Sequence, residues 1–473
     1  MRRTGRKVVC GRRAGLLLAG AFFFLGLLAF PAAWPSQADA QDPPQALDLN
    51  QLIHLALANN PGLSASREGI EVEQRGRQAA WSQRLPRIAV QAMNLGDPLN
   101  TQLVMPMHQF VPPTTASSAT VLNTFRSEFS NDNYNFGFGM TLPIYTGGRI
   151  TAQTRIGDLA ILLSQNRLAQ TRDELIFNVA SVFYTILRLD EDVTATAASL
   201  KGLQESQRIV KQRLAVGEAA QLDVYKIDAR LAEVQQALIQ VNNDRSVGYT
   251  ALVRLVGGGP TAEGIAAKGP LTYRENTQRL EDSIAAAIDK RPELLAKEHE
   301  VAIAAQQVRV ALAQRLPQLS VGADYLWWGS ALQGHFGDQY SPAPDILFTT
   351  SLQFPIFDEV ARQQYHEALA RQQQIERELD DLRLRVLQEV KSAFLSMEAA
   401  RARITSAQAA LREAEEALRI EQAKISVGKS TTEFLLDAQA AELRSRFNYF
   451  GAISDYDIQQ MALRKAIGQV TVD

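Results

Sequence analysis

Asn133-Tyr-Asn-Phe-Gly-Phe-Gly-Met-Thr-Leu142 alternates large and small side chains without a break. Tyr134, Phe136, Phe138, Met140 and Leu142 share one parity; Asn135, Gly137, Gly139 and Thr141 share the other. A strand turns successive side chains to opposite faces, so this stretch predicts a strand with one apolar face and one small, polar face. Further along, Ile346, Phe348, Thr350, Leu352 and Phe354 alternate with Leu347, Thr349, Ser351 and Gln353. Each run is preceded by another, Ile88, Val90 and Ala92 in one case and Leu319, Val321, Ala323, Tyr325 and Trp327 in the other. About ten residues is the length a tilted strand needs to cross a bilayer. A half-buried soluble sheet alternates in the same way, so this pattern alone leaves the environment open.

The two strand pairs belong to two copies of one plan. Leu49-Asn-Gln-Leu-Ile53, Asn60-Pro61 and Arg84-Leu85-Pro86 return, shifted by 231 residues, as Leu280-Glu-Asp-Ser-Ile284, Arg291-Pro292 and Arg315-Leu316-Pro317. Leu142-Pro143-Ile144-Tyr145 answers Phe354-Pro355-Ile356-Phe357 at a shift of 212, which places 19 extra residues in the first copy's preceding loop. Val216-Gly217 matches Val427-Gly428, and Leu252 to Gly257 matches Leu463 to Gly468, at a shift of 211. Ordered landmarks separated by one loop insertion indicate an internal duplication. The expected organisation is a leader over 1–40, a first repeat over 41–260 and a second over 261–473. The first holds a helix, strands near 85–94 and 133–144, and a helical hairpin over 148–256. The second holds a helix, strands near 316–328 and 345–357, and a hairpin over 358–467.

The hairpins are unusually long. No proline occurs between Pro143 and Pro260, nor after Pro355. Val390, Met397, Ile404, Leu411 and Leu418 recur every seven residues, with Ala393, Ala400, Ala407 and Ala414 between them. Leu175, Val179, Val182, Ile186, Leu189 and Val193 run similarly in the first copy. This is coiled-coil spacing, and a helix of some 65 residues would be roughly 100 Å long. An ordinary extended coiled coil would show the same pattern.

Arg2, Arg3, Arg6, Lys7, Arg12 and Arg13 precede an apolar run from Leu16 to Phe30, which Pro31 and Pro35 interrupt. Ala38-Asp39-Ala40 offers a cleavage site before Gln41, so the segment reads as a secretory signal, with an uncleaved anchor as the other reading. The single cysteine, Cys10, lies before the apolar run, so no lipid anchor and no disulfide are expected. Taking six basic and one acidic residue from totals of 49 and 51 leaves a net charge of −7, with no basic patch to attract nucleic acid. After the leader no stretch approaches 18 uninterrupted apolar residues. An exported chain that still resides in a membrane must then cross it as a barrel. Four strands cannot close one, so chains must share it: two would supply eight strands and three would supply twelve.

With these features assembled, the chain resembles the TolC family of outer-membrane efflux proteins over about residues 46–470. The most specific stretches are Leu214-Ala-Val-Gly217-Glu-Ala-Ala-Gln-Leu222-Asp223-Val224 and Ile425-Ser-Val-Gly428-Lys-Ser-Thr431-Thr-Glu-Phe434-Leu-Leu-Asp437-Ala-Gln439. The resemblance implies an α+β membrane protein, a homotrimeric twelve-stranded β-barrel with four strands per chain. That barrel would continue into a long coiled-coil α-helical barrel across the periplasm. It implies an exit duct of a tripartite efflux or type I secretion system in the outer membrane of a Gram-negative bacterium. The partners would be outer-membrane lipid, a periplasmic adaptor (membrane fusion protein) and an inner-membrane efflux pump or ABC exporter. By the same resemblance Val216, Gly217, Leu222, Asp223, Val427, Gly428 and Thr431 would form adaptor-docking tips. Phe434 and Asp437 would form a channel gate. The sequence departs from the family at Phe434, where an acid is common, so an apolar ring would stand beside a single ring of Asp437. The bland reading makes the glycines helix caps and Phe434 a packing residue.

No catalytic constellation competes with this. His299-Glu300 and His366-Glu367 lack the second histidine of a zinc-protease helix. Gly257-Gly258-Gly259-Pro260 lacks the Lys-Ser/Thr of a phosphate loop. Met105, Met107 and His108 read as loop residues, so no cofactor or metal and no enzyme activity are expected. A periplasmic coiled-coil adaptor or scaffold is the alternative function, and it leaves four amphipathic strands without a use.

Overall fold

Asp48 starts the first helix of the folded chain. Its side chain accepts the Gln51 N–H at 2.8 Å while Gln51 Oε1 accepts the Asp48 N–H at 3.0 Å, a reciprocal cap. A computed structural model describes residues 45–96, 132–258, 264–276, 278–329, 345–427 and 429–470. The leader, Met105, Met107, His108, His335 and Gly428 lie outside the described residues.

The elements are β1 (Gln45–Leu47), α1 (Leu49–Asn59), α2 (Pro61–Ser82), β2 (Arg87–Gly96), β3 (Asp132–Thr146), α3 (Arg149–Ala215) and α4 (Gln221–Val256). The same order follows in β4 (Ile265–Ala267), α5 (Leu280–Lys290), α6 (Pro292–Ala313), β5 (Gln318–Gly329), β6 (Asp345–Gln353), α7 (Glu359–Ser426) and α8 (Thr432–Ala466). Where one helix per half was expected before the strands, each half has two. The break falls at Asn60-Pro61 and Arg291-Pro292. A proline presses the residue before it out of helical geometry, and Asn60 and Arg291 sit at ψ 121° and 119°. Asn60 then caps α2 by accepting the Leu63 N–H at 3.1 Å. The last strand is shorter than expected, ending at Gln353 instead of continuing to Phe357.

The strands form one antiparallel sheet in the order β2-β3-β5-β6, while β1 pairs with β4 in parallel. The register joins four alternating sequences into one continuous face: Ile88 and Val90 beside Met140 and Phe138, then Ala323 and Tyr325, then Phe348 and Ile346. The other face carries Arg87, Ala89, Gly137, Gly139, Thr141, Gly322, Asp324, Thr349 and Ser351, with Leu347 among them and Met93, Leu326 and Trp328 at register positions of the same parity. The apolar face is largely bare. Ile88 is 73% exposed and Phe348 80%.

The helices repeat the order of the strands. Next to the sheet α2 packs on α3, α3 on α6 and α6 on α7, the helices that join β2, β3, β5 and β6 respectively. Toward the far ends the order becomes α4-α3-α8-α7, again four abreast. α3 and α7 run 67 and 68 residues, about 100 Å each at 1.5 Å per residue. Along the expected seam Val390, Met397, Ala400 and Ile404 are buried against α8 residues such as Ile453, Tyr456 and Leu463. In the first half Leu175, Val179, Ile186 and Leu189 are buried, and Leu52 and Ala56 of α1 close the cluster holding the first three. Between β3 and α3 the chain turns on Gly147 at φ +62°, where a Cβ would stand 2.7 Å from the Ala313 carbonyl oxygen. No described helix is long and apolar enough to cross a membrane.

Candidate functional site

The first hairpin reverses at Gly217, which takes φ +78°. Glu218 N–H donates to the Arg213 carbonyl at 2.8 Å and Gly217 N–H to Leu214 at 3.0 Å, so two orphan carbonyls of α3 are satisfied in a Schellman turn. The second hairpin builds the same closure, with Lys429 N–H donating to the Lys424 carbonyl at 2.9 Å. Val216 and Val427 adopt nearly equal angles, φ −101° and −102° with ψ 10° in both. The helices that leave the turns start differently. Asp223 accepts the Ala220 N–H at 3.1 Å, whereas Thr431 accepts the Phe434 N–H at 3.5 Å. Asp223 and Thr431 are therefore helix caps whatever else they do.

Both turns present apolar side chains to solvent: Val216, Leu222 and Tyr225 on one, Val427 and Phe434 on the other. Phe434 is 61% exposed and packs into no core of its own chain. Asp437, one helical turn later, is also exposed. Sequence reading missed Lys226, whose Nζ lies 2.7 Å from Glu433 Oε2 and bridges α4 to α8. Its ammonium is held above the usual lysine range, first by the Glu433 hydrogen bond and further by the nearby charges of Asp223 and Asp437. The structure thus brings Asp223 and Asp437 around one shared cation. Arg213 adds a second link by donating to the Ile425 carbonyl, and buried Gln439 donates to Ser206 Oγ at 3.3 Å.

Two buried acids stand higher along the helices. Burial raises Asp192 to about 6, although Arg188 lies 2.6 Å away. Burial likewise raises Asp457 to about 7 against the pull of Arg274. Neither is part of a group of three or more metal-ligating side chains, and no such group occurs among the described residues.

Residues 52–258 and 284–469 match the family described as outer membrane efflux protein. The chain belongs to that family. Relatives that it resembles include outer membrane protein TolC of Vibrio cholerae, 22% identical over 316 residues, 65% of this chain and 70% of that one. Another is alkaline protease secretion protein AprF of Pseudomonas aeruginosa, 22% identical over 90% of this chain and 88% of its own. The CmeC outer membrane channel of Campylobacter jejuni shares the fold, with a TM-score of 0.75 at 16% identity over 89% of this chain and 87% of its own. As an outer membrane efflux protein the chain is an exit duct of a Gram-negative outer membrane.

Proposed function

We propose that three copies of this chain close into one duct, a twelve-stranded barrel in the outer membrane continued by twelve helices below it. The observation that carries this reading is the shared lateral order. Four strands and four helices run side by side, and both layers end on the same two flanks: β2 above α2, and β6 above α7. An open sheet edge in lipid leaves backbone groups unsatisfied, so each β2 needs a β6 from a neighbour. The two halves, alike in element order and each matched by the same family, are read as products of a duplication.

At the far end, the exposed Val216, Leu222 and Val427 with the Gly217 turn and the second turn after Val427 form the docking surface for a periplasmic adaptor. That adaptor connects the duct to an inner-membrane efflux pump or ABC exporter, in an efflux or a secretion system. Phe434 and Asp437 face the tunnel near its narrow end and act as its gate. The Lys226 beside Asp437 weakens the carboxylate's attraction for cations.

Purified protein added to a planar lipid bilayer tests the duct directly. Discrete, long-lived conductance steps are expected. An intact oligomer that never conducts would overturn the reading.

A further inference from the structure

Charge is sparse on the polar face of the sheet, and one charged residue there stands away from a strand end. Along the described strands the charged residues are Arg87, Asp132, Asp324 and Asp345. Arg87, Asp132 and Asp345 each begin a strand. Asp324 alone stands midway along one, in a row formed by Ala89, Gly139, Asp324 and Leu347. Its direct neighbour on β3 is Gly139, and Gly137 and Gly322 stand in the two adjoining rows. No side chain rises from those glycines to cover a neighbouring carboxylate. The backbone of Asp345 lies in the next row, opposite Leu326, so the nearest strand acid is of like sign. Arg87 lies in the row on the other side, two strands away, beyond direct pairing at about 4.8 Å per strand.

We propose that Asp324 is a specificity-determining residue of the barrel, a lumenal carboxylate that favours cations over anions in the outer-membrane half of the duct. The inference rests on the closed trimeric barrel, in which the apolar face meets lipid and the Asp324 face lines the channel. Threefold symmetry then sets three carboxylates at one level of the lumen, each half-buried, with Gly139 leaving the β3 side open and Leu347 standing on the β6 side. Rings of acidic side chains select cations because the fields of like charges add at the axis. This filter is independent of the Asp437 level at the other end, so anionic solutes would meet two separated electrostatic barriers in series.

Reversal potentials across a salt gradient in planar bilayers test the proposal. Asp324→Asn is expected to lower the cation-to-anion permeability ratio roughly fivefold near 10 mM salt, where the Debye length is about 30 Å. In 1 M salt, where that length is about 3 Å, the effect is expected to be small. Asp324→Lys, which places a flexible cation between Gly139 and Leu347, is expected to turn the channel toward anions. Channels of normal conductance whose selectivity is unchanged by both substitutions would overturn the role of Asp324 and leave the duct standing. Parent protein that forms no channel at all would overturn the duct and this inference with it.

Discussion

Asp457 is 6% exposed on α8, and its raised value, about 7, is set by burial that Arg274 only partly offsets. An unfolded aspartate titrates near 3.9. The folded state therefore binds a proton that the unfolded state lacks between about pH 4 and 7, and this group's contribution to stability rises as the pH falls through that window. Above pH 7 the ionised form carries the full cost. Asp457→Asn is expected to stabilise the fold at pH 8 by about 2 kcal/mol or more and to change nothing near pH 4. Denaturation followed by circular dichroism at the two pH values checks this, and an equal effect at both would contradict it. Tyr184 on α3, pushed up to about 12 by burial and by the Asp457 charge, marks the same apolar surroundings.

At the turns, a Cβ added to Gly217 would meet no atom within 4 Å, so a substitution there is opposed by backbone conformation alone. Gly217→Val is expected to cost roughly 1 kcal/mol through the left-handed φ. Export should fall while membrane level and oligomer content stay near normal. Export assays beside quantification of the membrane protein decide it, since undiminished export would remove this turn from the proposed docking surface. Gly217 was readable in the sequence because turn chemistry is local, whereas Phe434 and Asp437 were singled out only by the family resemblance. Lys226 was legible by neither route. It pairs with Glu433 across 207 residues of chain and feels the charge of Asp437 across 211, and only the packing of α4 beside α8 brings them together.

Among the elements, the long helices follow their sequence closely because a seven-residue apolar repeat admits few other structures. Met397 and Ala400 bury within one turn of each other on α7, against α8. Met397→Ala is expected to cost about 2–5 kcal/mol by leaving a cavity, and Ala400→Leu about 1–3 kcal/mol by forcing the helices apart. Thermal unfolding should show both losses; a neutral Ala400→Leu would mean that α7 and α8 do not approach closely there. The strands were equally legible as single elements, their alternation surviving as the two faces of the sheet. Their order was not, since β3 pairs with β5 across the whole first hairpin. The break before α2 did have a signal, Pro61 at the first helical position behind the capping Asn60.

At the scale of the whole molecule, one chain leaves matched flanks. β2 and α2 end one side and β6 and α7 the other, with α4 taking the place of α2 farther from the sheet. Apolar side chains lie bare on these flanking helices: Val72 on α2, Ile239 and Val247 on α4, Leu384 and Leu395 on α7. A helix edge of this kind exposes area that a neighbouring copy would cover, each buried aliphatic side chain contributing about 1.5–3 kcal/mol. In the proposed ring, closure by rotation would pair each α4 with the next copy's α7, a head-to-tail contact. Two chains would give eight strands, near the limit at which side chains fill a barrel, whereas three give twelve and leave a lumen. The detergent-solubilised particle is therefore expected to weigh about three protomers. Cys10 is the chain's single cysteine and precedes the expected cleavage site, so introduced thiols can report the contact cleanly. Val247 and Leu395 stand nearly the same number of residues from their respective turns. Val247→Cys combined with Leu395→Cys is expected to give disulfide-linked dimers and trimers on mild oxidation, and neither single variant should do so. A stable membrane-inserted monomer, or cross-linking confined within one chain, would break the argument from strand number and flank order together.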